Sequence, residues 1–243
     1  MPAELAGRLT RPLRAGCRDL LTRRMNYEGE HTPATQSSDQ QCLAEIASAI
    51  RNTKSLDRTT RDEELQMVAS MRRALTRDFL DPTANIDDRD RSMYQNFRWL
   101  AARLPLPSKI IIWTATAHAA KDASALPEYA TNRNLGAYLH AAYGGDAFVL
   151  GFSASGGSHY WSRKEPEQPI VAAAPGSIEE RALRTVSADS VYLSPTALSR
   201  FGSAEAGALS FHKPLTARWS GFDGLVVFRT ERPPHRSNSP RAG

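Results

Sequence analysis

The fold prediction starts from one stretch, Lys109-Ile110-Ile111-Ile112-Trp113-Thr114-Ala115-Thr116-Ala117-His118. Its β-branched run, residues 109–113, predicts a strand that is buried on both faces. A buried strand between helices indicates a parallel sheet, in which ligand sites lie at the carboxyl edge. His118 follows the predicted strand, so we expect it at that edge. A lone histidine is more often a structural hydrogen-bonding group than a catalyst, and this alternative stays open.

Toward the carboxyl terminus, helix and strand patterns alternate. Asn134 starts a helical pattern, and residues 147–152 form the next strand pattern. The order strand, helix, strand from 109 to 152 predicts a right-handed βαβ unit. Later elements are a helix opened by the capping box of Ser177 and Glu180 and short strands at 191–193 and 225–228. The predicted class is therefore α/β, with a partial, mostly parallel sheet flanked by helices.

Three helices are predicted before this sheet. They cover residues 40–52, 62–79 and 87–104, with apolar side chains at three- and four-residue steps. The third carries a stripe of mixed polarity formed by Arg89, Met93, Asn96, Leu100 and Leu104. If the stripe is buried, Arg89 and Asn96 need polar partners. The alternative is that Arg89, at the helix start, reaches solvent.

The chain is expected to divide into four segments. They are a basic, poorly ordered start at 1–38, a helical segment at 39–104, an α/β domain at 105–232 and a disordered tail at 233–243. The net charge of +5 over 243 residues comes from arginines near the two ends, so nucleic-acid binding is not expected.

Cysteine usage and apolar run length bound the class of protein further. Cys17 and Cys42 are expected to form neither a disulfide framework nor a metal site. The strongest apolar run, Ile110 to Ala120, is too short to span a membrane. We therefore expect no membrane partner and a cytoplasmic location.

No self-contained catalytic motif is present, but an ordered series of weaker motifs covers residues 86–232. The series comprises Arg89-Asp90-Arg91-Ser92-Met93-Tyr94-Gln95-Asn96, residues 109–118, Leu135-Gly136-Ala137-Tyr138-Leu139, Gly176-Ser177-Ile178-Glu179 and Phe222-Asp223-Gly224-Leu225-Val226-Val227-Phe228. In this order and spacing, the series resembles the C-terminal half of the erythromycin esterase family, which includes proteins labelled as succinoglycan-biosynthesis-related.

The resemblance implies an α/β fold with a helical insertion and metal-independent hydrolysis of a macrolactone or another carboxylic ester. It implies that a histidine base draws a proton from water, while arginine and other donors stabilise the oxyanion. On the matching positions, His118 and Arg89 would be catalytic, and Asn96 and Asp90 would bind substrate. The resemblance implies no metal and no cofactor, and the partner would be a small-molecule ester.

The chain departs from the family pattern in two places. Ala115 and Thr116 stand where the family has His-Asn, and no Gly-Glu-x-x-His segment that would supply the base is recognised. We therefore expect a truncated or diverged member, and these departures argue against ester hydrolysis by the chain itself. The alternative function is that of a non-catalytic remnant that binds a ligand or a partner chain through an exposed sheet edge, an edge that would also allow self-association.

Overall fold

A computed structural model describes residues 15, 17, 32–77, 79–160, 166–209 and 215–233. The chain divides into two compact units, Met1–Trp99 and Leu100–Gly243. Most of the predicted start (1–38) and tail (233–243) lies outside the described residues. None of the helices in the described part combines the length and the apolarity that a bilayer span requires.

The first unit contains helices α1 (Pro33–Asn52), α2 (Arg58–Arg77) and α3 (Pro82–Ala101). Each begins earlier than the apolar repeat predicts. For α1 the reason is local, because Thr32 and Thr35 cap the helix reciprocally and Pro33 occupies its first turn. The part of the predicted poorly ordered start from Pro33 onward is therefore helical.

Aspartates stand before the two other helices of this unit. The Asp57 carboxylate accepts from the Thr60 backbone N–H at 2.9 Å, and the Asp81 carboxylate accepts from that of Ala84 at 3.0 Å. The sequence pattern assigns Asp81-Pro82 to the end of the second helix, whereas in the structure this pair begins the third. Proline is well accommodated there, since a first-turn N–H has no partner within the helix.

The core of the first unit lies between α1 and α2. The buried side chains of this core come from α1, from α2 and from the segment between them: Cys42, Leu43, Ile46, Ala47, Ile50, Leu56, Val68 and Leu75. Cys17 joins this core and forms a disulfide with Cys42, with the two Cα atoms 5.7 Å apart. The expectation that these cysteines form no disulfide framework is therefore wrong, because the fold brings two residues that are 25 apart in sequence within bonding distance.

Helix α3 buries other residues than the predicted stripe. Leu100 and Leu104 are exposed, and Leu104 lies beyond the end of the helix. Asp90 and Ser92 are buried instead. The apolar repeat identified the helix but not its packed face, because the neighbouring elements decide which face is covered.

The second unit contains short strands and helices. Within its described residues the strands are β1 (Leu150–Ala154), β2 (Ser158–His159), β3 (Gln168–Pro169), β4 (Ser190–Leu193), β5 (Ser203–Ala206), β6 (Leu215–Arg218) and β7 (Gly224–Phe228). The helices that follow α3 are α4 (Thr116–Ala119), α5 (Leu135–Tyr143), α6 (Ile178–Leu183) and α7 (Pro195–Ser199), with 3₁₀ turns at Pro127–Tyr129, Gly144–Asp146 and Trp219–Gly221.

A mixed three-stranded sheet in the order β1, β7, β4 forms the centre of this unit. β1 pairs parallel with β7, and β4 pairs antiparallel with the opposite side of β7. Leu225 and Val227 on the central strand are fully buried. Two antiparallel pairs, β2 with β3 and β5 with β6, stand outside this sheet. The mixed sheet among helices, preceded by a helical segment, confirms the predicted α/β class.

The predicted strand at residues 109–113 is not part of any sheet. The βαβ unit expected over 109–152 is therefore absent from the structure, and the parallel partner of β1 is β7. One cause is visible at Phe152 of β1, whose backbone N–H donates to the Thr116 hydroxyl at 3.2 Å while that hydroxyl donates to the Phe152 carbonyl at 3.2 Å. A threonine side chain thus occupies backbone groups that a paired strand would use.

Helix α6 confirms the predicted start at Ser177. The Ser177 hydroxyl accepts from the Glu180 backbone N–H at 3.3 Å. The Glu180 carboxylate, however, accepts from the Gly176 N–H at 3.1 Å and pairs with Arg184 at 2.6 Å. The Arg184 hydrogen bond and then the Gly176 N–H lower the pKa of Glu180 to about 2.

Candidate functional site

His118 lies in the short helix α4 of the second unit, where it is half-buried. Its Nδ1 atom is 3.1 Å from the hydroxyl oxygen of Tyr129, and the two rings meet edge to face at 85°. Tyr129 is itself buried. A buried tyrosine therefore fixes the orientation of the imidazole ring, with the proton on either of the two partners.

A second buried side chain, Asn134, holds the backbone around His118. Its amide nitrogen donates to the carbonyl oxygens of Ala117 at 2.8 Å, His118 at 3.3 Å and Ala120 at 2.6 Å. Its amide oxygen accepts from the Ala137 N–H and so caps α5. One side chain thus joins the start of α5 to the turn that carries the histidine.

The packing of α5 against this turn is closest at Gly136. A Cβ atom at this position would lie 2.0 Å from the carbonyl oxygen of Ala119 and 2.3 Å from that of Ala120. Because any larger side chain would collide with backbone, glycine is what permits the Asn134 hydrogen bonds to form.

The turn is anchored at both ends. Thr116 bonds to Phe152 in the middle of β1, and the Lys121 N–H donates to the Gly221 carbonyl at 3.0 Å. The Lys121 ammonium also pairs with the Asp223 carboxylate at 2.5 Å, directly before β7. The chain around His118 therefore runs from the middle of β1 toward the amino ends of β1 and β7.

This course corrects the prediction that His118 lies at the carboxyl edge of a parallel sheet. The prediction needed a strand at residues 109–113, which the structure does not contain, and it needed the chain to leave that strand at the carboxyl end. At one of the two departures from the family motif, Thr116 has a structural role, since it ties the turn to β1.

In the first unit, Arg89 and Asp90 are consecutive residues of α3. Asp90 is fully buried, whereas the Arg89 side chain is 40% exposed. Their side chains form an ion pair of 3.7 Å between the Arg89 Nε and the Asp90 carboxylate. Arg89 therefore reaches solvent in part, as the alternative predicts, but from the interior of α3 rather than from its start, which lies at Pro82. Its Nε remains beside the buried carboxylate.

Asn96 connects α3 to α2. Its side-chain oxygen accepts from the Gln66 amide at 3.0 Å and from the Ser70 hydroxyl at 2.9 Å. Both acceptor positions of this oxygen are therefore used within the first unit, and a ligand could engage only the amide N–H groups. Arg89, Asp90 and Asn96 all lie on α3, whereas His118 belongs to the second unit.

A buried carboxyl group that is not among the predicted site residues belongs to α6, although the residue stands in one of the motifs quoted above. Glu179 is almost fully buried, and its Oε1 accepts from the Ser153 hydroxyl at 2.5 Å and from the Gly207 N–H at 2.8 Å. Ser153 is fully buried in β1. These contacts tie β1, α6 and the segment after β5 together, and they give hydrogen-bond partners to a carboxyl group that would otherwise be costly to bury.

Sequence reasoning did not identify the roles of Tyr129 and Glu179 or the hydrogen bonds of Asn134 to the backbone around His118. The only local signal was the position of Asn134 at the start of a helical pattern, which indicates a cap but not the three carbonyl partners. Among the described residues, no group of three or more His, Cys, Asp or Glu side chains could hold a metal ion.

Comparison with known proteins identifies relatives at the level of family and fold. The sequence profile described as erythromycin esterase matches residues 4–235. No curated protein matches the sequence. A crystal structure of a succinoglycan biosynthesis protein is similar to the chain, with a TM-score of 0.61 and 14% sequence identity.

The structural match covers 94% of this chain and 60% of the other chain. The chain therefore spans less than two thirds of the length of its structural relative. At 14% identity the structural similarity establishes a shared fold. The profile match over most of the sequence establishes family membership. The chain belongs to the erythromycin esterase family.

Proposed function

We propose that this esterase-like protein hydrolyses a carboxylic ester, a macrolactone or a simpler ester, by activating water. The contact of 3.1 Å between the His118 Nδ1 and the Tyr129 hydroxyl carries the proposal. Because Tyr129 is buried and Asn134 binds the carbonyls around His118, the imidazole is held in one orientation. A base with a fixed orientation is what proton transfer from a bound water requires.

In the proposed reaction, the Nδ1–H of His118 donates to the Tyr129 oxygen and Nε2 accepts a proton from water. The water oxygen bonds to the ester carbonyl carbon, whose π electrons move to oxygen and form an oxyanion. The bond to the alcohol oxygen then breaks, and the imidazolium returns its proton to the leaving alkoxide. The role in oxyanion stabilisation that the family resemblance implies for Arg89 stays a prediction, and the proposed reaction does not depend on it.

The proposal is tested by hydrolysis of erythromycin and of p-nitrophenyl acetate. His118→Ala is expected to lower kcat/KM by about 10²–10⁴-fold, the usual contribution of a general base. Tyr129→Phe keeps the ring but removes the hydroxyl that orients the imidazole, so we expect a smaller loss, chiefly in kcat.

The matched control is His140→Ala, which removes an exposed histidine of α5 and should leave the rate unchanged. Equal rates for the His118 and His140 variants would contradict the role of His118. A parent protein that hydrolyses neither ester above the buffer rate would contradict the activity itself.

The second candidate function is that of a non-catalytic module that binds a partner chain. The observation that favours it is the exposed apolar segment at residues 109–113, whose strand-like sequence has no strand partner among the described residues. An inactive parent protein that binds another polypeptide through this segment would support the second candidate over hydrolysis.

A further inference from the structure

The segment Lys109–Trp113, which we call the apolar edge segment, has a sequence typical of a buried strand. In the structure it belongs to no sheet, and its apolar side chains are exposed to solvent. No backbone–backbone hydrogen bond joins residues 109–114 to another described residue. The exposed backbone groups of such a segment are a template for pairing with another strand. The side chains of the segment decide which strand fits it.

Exposure along the segment alternates with the period of a β-strand. Ile111 is 90% exposed and Trp113 is 85% exposed, whereas Ile110 and Ile112 are 43% and 38% exposed. Alternate side chains of a strand point to opposite faces. By this alternation Lys109, Ile111 and Trp113 share the more exposed face, and the two half-covered isoleucines share the other. The Trp113 ring, although 85% exposed, also contacts Phe152 of β1, with the ring centroids 5.8 Å apart.

The more exposed face is self-complementary in one register. We propose that two copies of this chain associate by antiparallel pairing of their apolar edge segments, with Ile111 opposite Ile111 of the second copy. In this register Lys109 of each copy stands opposite Trp113 of the other, a cation against an aromatic ring. Ile110 stands opposite Ile112, which pairs β-branched side chains on the other face.

Antiparallel pairing on a two-fold axis makes this an isologous contact, which closes at two copies. It pairs backbone groups that have no backbone partner among the described residues, and it covers apolar surface on both chains.

The exposed apolar area of the segment is what a second copy would cover. At 85% exposure, Trp113 presents about 130–210 Å² of the roughly 150–250 Å² that an aromatic side chain can bury. Ile111, which is 90% exposed, adds to this area.

The inference uses the surface of the second candidate function and is independent of ester hydrolysis. Its first test is sedimentation velocity of the purified full chain over a wide concentration range. We expect a monomer–dimer equilibrium. A strand donated by a different protein would instead leave the purified chain monomeric at every concentration, and that result would overturn the proposal.

The register is tested by disulfide trapping under mild oxidation, read on a non-reducing gel. Ile111→Cys should give a covalent dimer, because the two introduced thiols face each other. Ile110→Cys and Ile112→Cys should each remain monomeric alone and should give a covalent dimer when mixed. Covalent dimers from Ile110→Cys alone, or none from the mixture, would exclude this register.

A charge exchange provides a second measurement that does not depend on thiol geometry. Trp113→Lys places lysine opposite Lys109, so we expect the dissociation constant to rise at least about tenfold. Adding Lys109→Glu to that variant places opposite charges face to face and should restore the dimer. If the single and double variants associate equally weakly, the contact is not the one proposed. Both positions are exposed, and circular dichroism would verify that each variant is folded.

Discussion

At the residue scale, Asn134 connects the candidate base to the fold. Its amide group has two N–H hydrogens but three carbonyl oxygens within hydrogen-bonding distance, so at least one hydrogen is shared. The other side of the same amide caps α5. Because the hydrogen bond to Ala120 is buried, removal of the amide would leave that oxygen without a partner and without ready access to water.

The first prediction at this scale concerns the donors of Asn134. Asn134→Asp keeps the oxygen that caps α5 but replaces two donors with an acceptor facing three carbonyl oxygens. We expect it to lower the free energy of unfolding by about 2–4 kcal/mol, at least as much as Asn134→Ala. Urea unfolding followed by circular dichroism measures both.

The control is Asn132→Asp, at a residue whose amide donates to the Glu128 carbonyl at 3.3 Å on the surface. It should change stability by less than about 1 kcal/mol. Parent-like stability of Asn134→Asp would show that the residue acts only as a helix cap, because aspartate caps as well as asparagine.

At the scale of elements, helix α6 joins two kinds of interaction at its start. Glu179 points inward to Ser153 and Gly207, while Glu180 stays at the surface with Arg184 and the Gly176 N–H. Both carboxylates lie in the first turn, where unpaired N–H groups favour negative charge. The helix thus directs Glu179 into the interior, where it joins packed elements, and Glu180 to the surface, where it binds the backbone before the helix.

The pH dependence of stability follows from Glu180. Its pKa is lowered to about 2 in the folded chain, so its stabilising contribution is complete above the ordinary glutamate pKa and is lost as pH falls toward 2. Glu180→Gln should therefore be slightly less stable than the parent at neutral pH, and the difference should shrink below about pH 4.5. Urea midpoints measured at several pH values provide this difference.

Glu205→Gln, at an exposed position of β5, serves as the control for loss of one surface charge. The expected effect of Glu180→Gln is small because the pair with Arg184 is exposed to solvent. A difference that grows as pH falls would contradict the assignment of the stabilising form to the carboxylate.

At the scale of the whole molecule, the chain is one α/β unit preceded by one helical unit, and it spans 60% of the length of its structural relative. Each unit has its own stabilising device. In the first it is the disulfide between Cys17 and Cys42, and in the second it is the parallel pairing of β1 with β7. The cytoplasmic location stays a prediction. The disulfide argues against it, because such bonds persist mainly in oxidising compartments.

Reduction of the disulfide should destabilise the first unit. The bond joins residues 25 apart in sequence, and restriction of the unfolded chain by a loop of this size is worth roughly 3 kcal/mol. We expect a reducing agent to lower the urea midpoint of the helical circular dichroism signal. In a Cys17→Ala, Cys42→Ala double variant the agent should have no effect. Two free thiols in the unreduced native protein, counted with a thiol reagent, would contradict the bond.

The predictable parts of this fold are those encoded over a few residues. The Ser177 cap, the start of α5 at Asn134 and the apolar face of α1 depend on side chains within one or two helical turns, and all three are present in the structure. The strand predicted at residues 109–113 depends instead on a distant partner. Its composition indicates that it suits a sheet, but composition does not supply the partner strand.

The sequence alone determined the family, the α/β class and the presence of helices α1, α2 and α3. Only the tertiary structure decided that β1 pairs with β7, that Asp90 rather than Leu100 is buried, and that Tyr129 and Asn134 hold His118. The physical reason is the range of the interactions. Caps and helical periods are satisfied locally, whereas strand pairing, burial of charge and the orientation of a side chain depend on groups far away in the chain.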